Sequence, residues 1–117
     1  MNRYAAKLLF QFRVDIDGDA GKRRTCEERI VVTTARSAAS ALTKSKRKGH
    51  SAQHDYCNND GNAVFFEFVG VMDLLELGAE SDPDEVWYDI RERLLPMERR
   101  EVFIPPEAKL NAVRNEA

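Results

Sequence analysis

A chain of 117 residues, 43% hydrophobic and 32% charged with a net charge of −2, has the size and make-up of one folded domain around one core. Aromatic and β-branched residues recur from Tyr4 to Ile104, which excludes wholesale disorder, and no apolar run approaches the ~20 residues of a membrane span. Two cysteines, Cys26 and Cys57, make no disulfide framework, so a reducing cytoplasm is the expected compartment and no membrane is expected among the partners.

The first strand is expected at the very start. Tyr4, Ala6, Leu8, Phe10, Phe12 and Val14 share one face, while Lys7, Gln11 and Arg13 share the other with Leu9 as the exception. That alternation, and the lack of a small-residue cleavage site, make the N-terminus read as mature protein and not as a signal peptide. Turn formers fill residues 15–21, and residues 25–34 (TCEERIVVTT) read as the return strand of a loose hairpin.

A helix follows. Ser37 is its expected N-cap, Ala38, Ala41, Leu42 and Ser45 form a small inner face, and Gly49 is expected at C′. A short strand is placed over residues 52–57. Asn58-Asn59-Asp60-Gly61 is a strong turn signal, with Asp60-Gly61 suited to a type I′ reversal.

The next strand runs from about Asn62 to Leu74 with aromatics on both faces, Phe66 and Phe68 one way and Phe65 and Val69 the other. Gly70 within it suggests a bulge or a close backbone approach. Ser81-Asp82-Pro83-Asp84 makes a turn, and residues 85–91 (EVWYDIR) read as a fifth strand. Beyond Leu95 prolines punctuate a tail in which Pro106 opens a short helix over 107–115.

The expected architecture is therefore α+β: an antiparallel sheet of about five strands in β-β-α-β-β-β order, with one helix packed on one face. Residues 1–95 form the domain, and residues 96–117 form a C-terminal tail that packs on it or is partly flexible. Charge divides unevenly along this order. Residues 1–60 carry 12 Lys/Arg against 7 Asp/Glu, and residues 61–117 carry 6 against 13. Complementary halves of one fold explain this, and so would a two-signed surface that guides a partner.

The order and spacing of several short motifs resemble the small bacterial proteins of domain-of-unknown-function family 4288. They are Tyr4-Ala5-Ala6-Lys7-Leu8, Glu27-Glu28, Ala35-x-Ser37 with Ala41, Tyr56-x-Asn58 with Gly61 and Val64, Phe68-Val69-Gly70-Val71-x-Asp73-Leu74, and Glu85-Val86-x-Tyr88. The resemblance covers residues 4 to about 91. It implies a shared fold and carries no activity and no catalytic residue.

Candidate chemistry is thin. His50, His54, Cys57 and Cys26 are metal-ligand types, but H-x3-H-x2-C straddles a helix end and a strand, so no metal site and no cofactor is expected. Asp15-x-Asp17-x-Asp19 opens like a calcium loop and fails at Ala20 and Cys26, which leaves a solvated hairpin tip. There is no phosphate loop, no nucleophile elbow and no framed Cys-His pair, so no catalytic residue is named and a non-enzyme is favoured.

Surface remains. Leu9, Phe65, Val69, Val71 and Trp87 are expected on the face away from the helix, covered by the tail or by another chain. Phe65, Val69 and Trp87 are thus the candidate partner-binding residues. The expected function is a non-enzymatic, macromolecule-binding module, protein-binding or accessory in character, whose partner is another protein or a second copy. The alternative is a nucleic-acid-associated protein using Lys44, Lys46, Arg47 and Lys48. A small metal-dependent enzyme stands third.

Overall fold

The computed structural model describes residues 1–77 and 83–116. Four strands, β1 (Asn2–Asp15), β2 (Thr25–Ala35), β3 (His54–Cys57) and β4 (Ala63–Glu76), form one sheet in the order β2-β1-β4-β3. Every neighbouring pair is antiparallel. Helix α1 (Ala38–Ala52) joins β2 to β3, and the tail carries two short helices, α2 (Arg100–Phe103) and α3 (Asn111–Glu116). The class is α+β, as expected.

Alternation builds the core. Tyr4, Ala6, Leu8 and Phe10 are buried on the α1 side of β1, and Phe12 packs against them. Phe10 stacks on Phe66 at 4.6 Å between ring centroids, and Phe68 tilts against it at 5.6 Å. Burying each such ring contributes roughly 1.5–3 kcal/mol. The helix meets this layer through small residues, with Ala41, Ser45 and Gly49 buried. Ser45 satisfies its buried hydroxyl by donating to the Ala41 carbonyl at 2.8 Å.

Five expectations change. Residues 85–91 are not a fifth strand, for Arg3 donates to the carbonyls of Pro83 and Glu85 and ties this segment across the sheet instead of along an edge. Of the expected 81–84 turn, Ser81 and Asp82 lie outside the described residues. The helix expected over 107–115 divides into one 3-10 turn at Glu107–Lys109 and α3, and the tail adds α2, which has no sequence signal beyond one apolar turn.

Gly49 is not the helix stop. It lies within α1, where a Cβ would come within 2.5 Å of the Phe68 ring, so glycine allows close approach and the helix ends three residues later.

The type I′ reversal also falls elsewhere. Asp17 and Gly18 both have positive φ (53° and 81°), between Ile16 and Asp19, which exchange two backbone hydrogen bonds of 3.0 Å. At the second turn only Gly61 has positive φ, and the Asn58 side chain instead accepts from the amides of Asp60 and Asn62.

Val71 changes face. Against β1, β4 has two register shifts that leave Val69 and Met72 without opposite numbers. The extra residues are pushed outward, 57% and 51% exposed, while Val71 turns in to pack on the Ala6, Leu8, Phe10 and Phe66 cluster. Gly70 thus marks the bulged stretch, and no close approach, since a Cβ there meets nothing within 4 Å.

Candidate functional site

The face of the sheet away from α1 is built by the odd residues of β1. Its N-terminal end is covered. Arg3 holds the 83–85 backbone, Lys7 lies over the Trp87 ring at 5.8 Å, and Ala5 between them is fully buried. Its other end is a polar network over an aromatic floor. The Arg13 guanidinium lies 4.4 Å above the Phe65 ring and forms a two-pronged ion pair with Glu67, at 2.9 and 3.2 Å. Gln11 donates to the same carboxylate at 3.0 Å and accepts from Arg24.

This arrangement shifts both titrating groups. Glu67 is held below the ordinary carboxylate value, first by the Arg13 hydrogen bond and then by Gln11, with partial loss of water opposing. Arg13 is held above its ordinary value, chiefly by its hydrogen bond to Glu67. The pair also ties the basic first half of the chain to the acidic second half.

Of the three candidate contact residues, Phe65 and Val69 lie on β4 and Trp87 lies beyond it. Phe65 pairs opposite Arg13, whereas Trp87 sits by Lys7. Six residues of strand separate those levels, about 20 Å. The structure thus sets Trp87 and Phe65 at opposite ends of one face, with Val69 exposed between their levels. Sequence periodicity missed Met72, which the second register shift also turns outward.

The basic helix end is partly committed. Lys44 and Lys48 donate to the backbone carbonyls of Thr34 and Val32, at 2.7 and 3.0 Å. Lys46 and Arg47 are exposed and make no hydrogen bond or ion pair among the described residues. A groove of about 530 Å³ beside β2 is lined by Thr33, Lys44, Arg47, Lys48, Ser51 and Ala52.

The metal-ligand types are scattered. Cys26 is on β2 and Cys57 on β3, the two outer strands of the sheet, and both thiols are free and exposed. His50 packs edge-on against Phe68, and His54 packs against Tyr56 and Phe66. Among the described residues, no three His, Cys, Asp or Glu side chains gather in a group that could hold a metal ion. No described helix is long and apolar enough to cross a membrane.

No curated protein and no solved structure matches the chain. The family described as Domain of unknown function (DUF4288) matches residues 3–87, from the start of β1 to the Trp87 crossing, and the chain belongs to that family.

Proposed function

We propose that the protein is a non-enzymatic binding module that recognises another protein through the sheet face away from α1. Val69 carries the reading. A valine 57% exposed where β4 runs past the end of β3, with exposed Met72 three residues on and half-buried Phe65 four residues back, puts apolar side chains along the strand that also carries the Arg13–Glu67 ion pair. Aromatic and apolar anchors rimmed by hydrogen-bonded charge are the make-up of protein-binding surfaces. Trp87 extends the patch at the covered end.

The nucleic-acid alternative rests on Lys44, Lys46, Arg47 and Lys48. Two of the four already serve β2 carbonyls, which leaves Lys46 and Arg47 to meet phosphate.

The test is capture on the immobilised protein, followed by reconstitution of each binary complex from purified components. Val69→Asp should abolish the complex, and Lys46→Ala with Arg47→Ala should leave it intact. A complex indifferent to Val69→Asp would refute this reading. Micromolar nucleic-acid binding lost on changing Lys46 and Arg47, with a salt slope near −0.9 per contact, would establish the alternative.

A further inference from the structure

The two edges of the sheet are protected unequally. Edge strands expose unpaired N–H and C=O groups, which proteins blunt by shortness, lysines, proline, bulges or a cover. At one edge β3 is four residues long and pairs only with Ala63–Phe66; beyond it β4 itself is the edge, where Gln53 accepts from the Phe68 amide at 3.0 Å and two register shifts bulge the strand. At the other edge β2 runs for 11 residues, with an unbroken register on β1 and no proline.

Lys44 and Lys48 cap the carbonyls of Thr34 and Val32, so the even residues of β2 point their backbone groups outward. By the same alternation Cys26, Glu28 and Ile30 present theirs to the open edge. No described side chain or loop bonds to them there.

We propose that this open stretch pairs antiparallel with the same stretch of a second copy, about a two-fold axis at Glu28. The charges select both partner and register. With the axis at Glu28, Glu27 lies opposite Arg29 of the second copy, and Arg29 opposite its Glu27. Moving the axis to residue 27 sets Glu27 against itself, and moving it to residue 29 sets Arg29 against itself.

Arg29 is already positioned for this contact. Its guanidinium lies 4.9 Å from the Phe10 ring and 5.6 Å from the Phe66 ring, and bonds Glu27 at 2.6 Å. On the other face Glu28 meets its own image, and each carboxylate has Lys7 at 3.9 Å beside it. A longer pairing would bring Arg24 and Lys22 of the second copy against Lys48 and Lys44, so like charge ends it where the lysines begin. The product is one continuous eight-stranded sheet with both copies of α1 on the same face. It uses an edge, not the Val69 face, and stands independently of the binding function proposed above.

Sedimentation equilibrium on the full chain tests it. The wild type should dimerise, and Arg29→Glu and Glu27→Arg should each weaken the dimer by about tenfold or more through like-charge contact. An equimolar mixture of the two variants should dimerise again, since both pairs between positions 27 and 29 are then opposite in sign, while the central Glu28 pair is unchanged from the wild type. Ile30→Pro removes only an outward N–H and should give a folded monomer. A monomeric wild type, a mixture no heavier than its components, or an Ile30→Pro dimer would each overturn the proposal. Should Ile30→Pro not fold, hydrogen exchange of the wild type decides. Protection of the Glu28 and Ile30 amides that rises with protein concentration supports the pairing, and protection independent of concentration refutes it.

Discussion

Single side chains set both the closeness of the helix and the acid response of the outer face. At Gly49 a methyl would overlap the Phe68 ring, so Gly49→Ala should destabilise the protein by about 1–3 kcal/mol despite a helix-propensity gain of ~1 kcal/mol. Urea denaturation measures this, and Phe68→Leu in the same chain should recover part of the loss as a coupling between the two sites. Glu67 has the opposite character, being stabilised as an anion by Arg13 and Gln11. A carboxylate whose value is lower in the fold contributes stability that is fully present above the unfolded-chain value, about 4.3. That contribution disappears as pH falls through the lower folded value. Urea midpoints taken stepwise from neutral pH into acid should therefore fall further for the wild type than for Glu67→Gln. Parallel curves would show that the ion pair does not couple to folding.

At the scale of elements, most of the order was legible because period-two and helical patterns are local. The even face of β1 and the position of β2 follow directly from side-chain alternation. Ser37 is the N-cap expected, accepting from the Ser40 amide at 3.1 Å, and Ser37→Ala should cost about 1 kcal/mol by thermal or urea melt. What was not legible depends on partners distant in sequence. Two Asp-Gly pairs look alike in one dimension, yet only Asp17-Gly18 forms the two-residue reversal, because Asn58 caps the other turn from within. Alternation alone puts Val71 on the wrong face because it assumes an unbroken register, and two shifts on β4 break it. Residues 85–91 alternate as a strand should, but Arg3, some 80 positions earlier, takes the carbonyls of Pro83 and Glu85. The candidate contact residues were legible as apolar and strand-borne; their separation along the face, and the outward turn of Met72, were not.

For the whole molecule the question is what meets the outer face. The tail's own apolar side chains, Met97, Val102 and Ile104, are exposed, and Phe103 packs under Arg93 and Arg99 of its own segment. Truncation after Leu95 should accordingly leave the melting temperature and hydrophobic-dye binding of the domain unchanged. A truncated form that binds dye and aggregates would mean that the tail is the cover. The central claim is that a protein partner docks at Val69. A photo-crosslinking residue placed at position 69, and separately at position 47, in cells making the protein tests this most directly. Position 69 should give a discrete protein adduct, and position 47 none of comparable yield. Adducts to nucleic acid from position 47, with position 69 silent, would contradict the claim.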